Sequence, residues 1–261
     1  MQYKEEGIFL YKVNVLIMIV DCLALLSVEP FNSARSAFEL SSTVEGMKLE
    51  FTSSRAPESP GFQIKTMMWT LRHIAIHFHD QGRYGEASFT SKYQDGPIVG
   101  FGEVISAVPP STFAHNASKT PTQLALRSRG IEVTDFKTIP GGRTYDPADI
   151  YIIIVGMLIQ AAEEDADATT SYFNGFNHPA NLAILLSKTS KHAEPLSFRT
   201  LIAALHMLAN RMPAFERRHQ WKPFIFLIRD NGRVIGKGAL STGPQPSLLK
   251  DQARNATTLQ D

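Results

Sequence analysis

Two glycine-rich stretches, DGPIVGFG at residues 95–102 and NGRVIGKG at residues 231–238, decide the fold. Each begins with a residue that tolerates a positive φ, followed by glycine, which is the pattern of a tight β-hairpin turn. An offset of 136 residues superposes all three glycines of the first stretch on glycines of the second. We therefore expect the chain to contain a duplicated unit.

The segments around these turns predict the same order of elements twice. Residues 47–106 predict a strand, a helix and two strands joined by the turn, and residues 183–242 predict the same series. In the first copy, apolar residues at helical spacing are Ile64, Met67, Met68, Leu71, Ile74, Ala75 and Phe78. At the 136-residue offset, Trp69 falls on Leu205.

A strongly apolar helix precedes the first predicted strand of each copy. Asp146 and Pro147 predict the start of the second of these helices, because aspartate caps a helix and proline suits its first position. The same offset carries residues 13–28 onto residues 149–164. It superposes one helical face on another, namely Leu16, Ile19, Leu23 and Leu26 on Ile152, Val155, Ile159 and Ala162.

The predicted fold class is α+β, with two pseudo-repeated helix–strand–helix–strand–strand units whose strands form antiparallel hairpins. The strand–helix–strand–strand core resembles the module that is duplicated in the SOUL haem-binding and GyrI-like ligand-binding proteins. That resemblance covers only the order of elements and their duplication. Duplicated units leave a cleft along their pseudo-twofold axis, so we expect a ligand cleft between the repeats.

The predicted organisation of the chain has five parts. They are an N-terminal apolar helix with its linker at residues 1–46, repeat one at 47–106, a polar linker at 107–146, repeat two at 147–242 and a disordered tail at 243–261. Polar loops are also expected at 29–46 and 163–181, because neither stretch has a sustained apolar period.

Composition excludes several classes of protein. The chain has 261 residues, of which 43% are hydrophobic, so it is long and apolar enough to bury a core. Its 26 lysines and arginines against 25 aspartates and glutamates give a formal net charge of +1. A chain this neutral has no overall electrostatic attraction to nucleic acid or to an anionic membrane. We therefore expect a soluble protein without a nucleic-acid partner.

The apolar run at residues 13–28 has two interpretations. Preceded by lysines and followed by small residues near Ala34, it resembles a signal peptide of a secreted protein. Its counterpart at 149–164 favours a retained helix, and the single Cys22 slightly favours the cytoplasm. A membrane span is not expected, because Asp21 interrupts a run shorter than the roughly 20 residues required. Secretion would make Asn116 and Asn255 candidate glycosylation sites.

One side-chain cluster is a candidate metal site. His73 and His77 are four residues apart on a predicted helix, the spacing of paired zinc ligands, and His79 follows closely. The run lacks the glutamate of a zinc hydrolase, and repeat two has no copy of the cluster. The sequence favours the simpler interpretation, a polar helix face with solvated histidines.

The remaining motifs do not specify a reaction. Gly100-Phe101-Gly102 lacks the third glycine of a dinucleotide-binding loop and lies inside a predicted strand. Nucleophile elbows, phosphate loops and paired cysteines are missing from the sequence. The leading hypothesis is therefore a non-catalytic binding or interaction protein that takes a protein or a small molecule and uses no cofactor. The alternatives are an enzyme of unrecognised type, a metal-binding protein using the His73, His77 and His79 cluster, and a secreted effector-like protein.

Overall fold

The computed structural model describes residues 2–9, 12–35, 37–41, 47–53, 62–92, 98–106, 130–219 and 221–243. Its helices are α1 (Lys12–Leu26), α2 (Ile64–Gln81), α3 (Pro147–Glu163) and α4 (Phe198–His219). The strands of the first half are β1 (Gln2–Phe9), β2 (Ala34–Arg35), β3 (Ala37–Ser41), β4 (Met47–Ser53), β5 (Phe62–Gln63), β6 (Gly85–Lys92) and β7 (Ile98–Ser106). Those of the second half are β8 (Ile131–Thr138), β9 (Thr169–Thr170), β10 (Tyr172–Asn177), β11 (Leu182–Lys188), β12 (Leu196–Ser197), β13 (Phe224–Asp230) and β14 (Arg233–Thr242).

The chain divides into two units, residues 1–126 and residues 127–261. In the first unit, an antiparallel sheet has the strand order β1-β6-β7-β4-β3. Leu49, Val104 and Ala87 lie opposite one another on adjacent strands and are buried, whereas Thr52 and Phe101 on the other face are exposed. One face of the sheet therefore forms a core, in which α1 packs against α2 and β4.

The second unit repeats this topology strand for strand. Read from its β8 edge, the second sheet has the order β8-β13-β14-β11-β10. This is the order β1-β6-β7-β4-β3 of the first sheet, with each strand replaced by the strand at the same place in its own unit. In each unit, one apolar helix follows the first strand and a second helix precedes the final hairpin pair. The predicted α+β fold with two repeated units and antiparallel strands is confirmed.

The register of the repeated strands is also shared. Phe89 lies opposite Gly102 in the first sheet, and Phe226 lies opposite Gly238 in the second. The pairing shifts by a bulge directly after Ser91 in one unit and directly after Ile228 in the other. The equivalence therefore extends to individual cross-strand pairs.

The second predicted hairpin turn is present in the structure. Asn231 has φ 49° and Gly232 has φ 81°, the left-handed conformation of both central residues in a type I′ turn. The equivalent turn predicted at Asp95-Gly96 lies outside the described residues. The described parts of β6 and β7 nevertheless pair antiparallel, as a hairpin requires.

The predicted ungapped offset of 136 residues is wrong for the helices. An offset of 134 superposes the buried residues Leu71, Ile74, Ala75 and Phe78 on the buried residues Leu205, Leu208, Ala209 and Met212. Leu205 is thus the counterpart of Leu71, and Trp69 falls on Ala203 instead. For the apolar helices α1 and α3 the offset is 135, which places buried Leu16 on buried Tyr151 rather than on half-buried Ile152. Connections that differ by one or two residues cause these changes, because each helix keeps its own buried face.

Two polar stretches that were expected to be loops contain strands. The predicted linker at 29–46 contains β3, and the predicted loop at 163–181 contains β10. In the part of the chain that the structure describes, both are edge strands of their sheets, and each pairs with a neighbour on one side. A further strand, β8, lies in the stretch predicted as a linker at 107–146, where the sequence also allows a short strand at residues 131–136. Residues 107–129 and the tail from residue 244 onward lie outside the described residues.

The helix starts follow the local chemistry of the sequence. The Asp146 carboxylate accepts a hydrogen bond from the Ala148 backbone N–H at 2.8 Å and caps α3, with Pro147 as its first residue. Ser197 caps α4 by accepting from the Thr200 N–H at 3.2 Å. This helix continues through Pro213 to His219.

The cap of α3 provides a test of this local account. Replacing Asp146 with alanine should lower the free energy of unfolding by about 1 kcal/mol, because the Ala148 N–H loses its acceptor. Urea denaturation measures the change. Asp146→Ser should keep most of the stability, and Glu194→Ala at an exposed loop position should leave it unchanged. A loss equal to that of the alanine variant in Asp146→Ser would contradict the capping role.

Candidate functional site

The outer face of α2 is the candidate site. Residues at helical spacing place five side chains on the side of the helix opposite its buried stripe: Lys65, Trp69, Arg72, His73 and Ile76. Trp69 is 40% exposed, although tryptophan is normally well covered in a folded chain. We call these five residues the α2 face.

Trp69 is held by a neighbouring arginine. The guanidinium carbon of Arg72 lies 5.2 Å from the centre of the Trp69 ring, within the range of a cation–π contact. Because the two residues are three apart on a helix, the backbone brings them together without a loop rearrangement. The contact restricts both long side chains before any partner arrives, which lowers the entropy lost on binding.

The charge of the α2 face is positive. Lys65 and Arg72 carry charge at neutral pH, and the helix from Ile64 through Ile76 contains no acidic residue. Partial loss of solvent around the imidazole, followed by the positive charge of Arg72, lowers the pKa of His73 below its ordinary value. His73 is therefore neutral at pH 7 and offers ring nitrogens for hydrogen bonds rather than a third charge.

The second unit lacks this surface. At the 134-residue offset of the helices, Trp69 corresponds to Ala203, which is buried with 6% exposure, and Arg72 corresponds to His206. The two units thus share a topology, but the equivalent helices α2 and α4 carry different side chains at these positions. The sequence comparison missed this difference because it aligned Trp69 with a core leucine. The sequence does contain an indication of this surface, because Trp69 lies outside the apolar stripe of α2 and three residues before an arginine.

The three predicted metal-ligating histidines lie at different positions around α2. His73 is exposed, and His77 is half-buried, with its ring 6.2 Å from that of Phe78. The Nδ1 atom of His79 lies 3.2 Å from an Asp80 carboxylate oxygen. Among the described residues, no group of three or more histidine, cysteine or acidic side chains is placed to hold a metal ion. The metal assignment therefore stays a prediction that rests on spacing alone.

Cys22 lies in the core of the first unit on α1. Its burial raises the pKa of the thiol well above its ordinary value, and the charge of Asp21 raises the pKa further. The side chain is therefore a thiol at neutral pH and packs as a small apolar group. The predicted glycosylation positions, Asn116 and Asn255, lie outside the described residues.

Comparison with known proteins adds little to this description. No family model and no curated protein matches the chain. Among solved structures, a similar one is the tandem DUF26 ectodomain of an Arabidopsis thaliana cysteine-rich receptor-like protein. It is 6% identical, covers 93% of this chain and 97% of its own, and has a TM-score of 0.28. At this score the likeness supports no conclusion about function. In the described part of the chain, none of the helices is both long and apolar enough to cross a membrane.

Proposed function

We propose that the protein is a non-catalytic interaction module whose α2 face binds a partner protein. The observation that supports this proposal is the exposed Trp69 ring covered on one side by Arg72. Tryptophan and arginine are the residues most enriched where binding energy concentrates in protein interfaces. A solvated helix face needs neither, since lysine and glutamate keep such a face soluble without exposing an aromatic ring.

The chemistry of the α2 face favours an acidic partner segment that also carries an apolar side chain. Lys65 and Arg72 offer positive charge to carboxylates, and the Trp69 ring with Ile76 offers apolar area. A net charge of only +1 gives the whole chain no general attraction to nucleic acid, so a charged polymer is not the expected partner. The ligand cleft expected between the repeats is a separate prediction.

Tryptophan fluorescence allows this binding to be measured directly. The chain has two tryptophans, and Trp221 is buried with 5% exposure whereas Trp69 is exposed. Peptides selected from a random display library against the full chain should be enriched in acidic and apolar residues. Adding them should shield Trp69 from an aqueous quencher such as iodide. Selected peptides without an acidic excess would contradict the proposed partner chemistry.

Replacing Trp69 with alanine should reduce the affinity for these selected peptides by about 30-fold. This figure corresponds to the roughly 2 kcal/mol that defines a strong interface residue. Stability should change less than for a fully buried tryptophan, because 40% of the Trp69 side chain is exposed. Isothermal titration calorimetry measures the affinity. Arg211→Ala removes an exposed basic residue from α4 and is the matched control. Equal binding by wild type and Trp69→Ala would overturn the proposal.

A further inference from the structure

The edge of the second sheet at β10 has no strand beside it among the described residues. β10 pairs with β11 along one side for its whole length, from Tyr172 to Asn177. Tyr172 is 49% exposed, Asn174 is exposed and Gly175 is half-buried. An edge strand offers a row of backbone N–H and C=O groups that another strand can use.

The sequence of β10 carries none of the features that normally block such pairing. It reads YFNGFN and contains neither a charged residue nor a proline. The opposite edge of the same sheet, β8, is different, because Glu132, Asp135 and Lys137 are exposed along it. Asp135 also has φ 54° at a break in the register of that strand. Charges and backbone irregularities protect an edge, so β8 is protected. Among the described residues, β10 has no such protection except at its start, where the backbone N–H and C=O of Tyr172 bond to the Thr170 hydroxyl and must exchange this bond for a new strand.

We infer that β10 pairs antiparallel with β10 of a second copy of this chain, which joins two sheets across a twofold axis. A twofold contact places the same segment on both sides, and an antiparallel strand satisfies this requirement by pairing with itself. Side chains on the same face must lie opposite one another across the new pair. The twofold axis therefore lies midway between one residue and the same residue of the second copy, so that this residue pairs with itself.

The aromatic residues select the register of this pairing. Tyr172, Asn174 and Phe176 alternate along one face of β10, whereas Gly175 faces Met157 and Ile153 of α3 on the other. With the axis at Asn174, Tyr172 of each copy lies opposite Phe176 of the other. Two cross-strand aromatic pairs then form, and the exposed ring of Tyr172 becomes covered. An axis at Gly175 would place Phe176 opposite Asn174 and form neither pair.

A charge on the axis tests the inference. Sedimentation equilibrium should show a concentration-dependent dimer for the full chain and a monomer for Asn174→Lys, because the two lysines would meet across the axis. Gln160→Lys adds the same charge at an exposed position of α3 and should remain a dimer. Mixing Asn174→Lys with Asn174→Glu should restore association. A monomeric wild type, or an Asn174→Lys variant that dimerises like the wild type, would overturn the inference.

A cysteine on the axis gives an independent measurement. Under mild oxidation, Asn174→Cys should form a disulfide between two copies, because residues directly opposite in an antiparallel pair have Cβ atoms close enough to bridge. Cys22 is buried and should not compete for oxidation. A cysteine at Gln160 is the control and should stay reduced. Equal cross-linking at both positions would show random collision instead of β10 pairing. Neither result depends on the α2 face, so each proposal can fail separately.

Discussion

Replacing Gly238 with alanine should lower the free energy of unfolding of the second unit by more than about 3 kcal/mol. This exceeds the usual cost of overpacking a core, which is about 1 to 3 kcal/mol. A Cβ atom at this position would lie 2.1 Å from Cζ of Phe226. The Phe226 ring cannot easily move away, because it is 1% exposed and packs 5.8 Å from Phe136 and 5.9 Å from Phe224. The added methyl group must therefore distort the strand pair or the aromatic cluster.

Gly102→Ala should have the same effect in the first unit. There a Cβ atom would lie 2.3 Å from Cζ of Phe89 and 2.5 Å from the backbone oxygen of Glu50, which has little freedom to move. Gly156→Ala is the matched control, since no heavy atom lies within 4 Å of its added Cβ. Alanine also favours a helix over glycine, so this control should gain up to about 1 kcal/mol. Urea denaturation that found all three changes equal would contradict this steric account.

Ile153→Asp should prevent the second unit from folding. Ile153 is 3% exposed on α3, and its Cγ2 lies against the backbone at Gly175. A carboxylate there loses its hydration and gains no described partner of opposite charge, at a cost of several kcal/mol. Because small domains are stable by only about 5–15 kcal/mol, this loss removes most of the native population.

Circular dichroism and solubility of the purified chain measure the outcome of Ile153→Asp. Gln160→Asp is the control, because it introduces the same carboxylate at an exposed position of the same helix. We expect the control to be soluble with a native spectrum and Ile153→Asp to be insoluble or to have lost signal. A soluble Ile153→Asp protein with an unchanged spectrum would show that α3 is not the centre of its core.

Strong local signals in the sequence predicted the central part of the fold. The apolar stripe of α2, including Leu71, Ile74 and Phe78, is buried as its spacing indicates. The cap at Asp146 and the turn at Asn231-Gly232 formed as their residue types require. These features depend on interactions within a few residues, so a single sequence contains the information.

The edge strands could not be predicted in this way. β10 does not alternate regularly between apolar and polar residues, and the alternation in β3 extends over only four residues. Their strand character comes from pairing with β11 and β4, which are several residues distant in sequence. The ungapped offset failed for a related reason. Glycines fix the register of the hairpins, whereas each helix aligns by its own buried face.

The α2 face needed the structure for a different reason. Sequence spacing placed three histidines on α2 and suggested a metal, but spacing does not show which side chains converge on one point. The exposure of Trp69 and its contact with Arg72 depend on which face of α2 is buried against the rest of the first unit. A sequence repeat indicates only the positions that the two units share, and Trp69 is not one of them. The surface proposed for binding is a position at which they differ.

The duplication is tested most directly by the proton NMR shifts of Gly102 and Gly238. In each unit, the position that a Cβ would occupy lies against a phenylalanine ring, 2.3 Å from Cζ of Phe89 and 2.1 Å from Cζ of Phe226. The Hα atom pointing in that direction should therefore be shifted upfield by the ring current in both glycines. We expect two such shifted signals, each with a nuclear Overhauser contact to its own phenylalanine. Two glycines with ordinary shifts, or only one that is shifted, would contradict a repeated architecture.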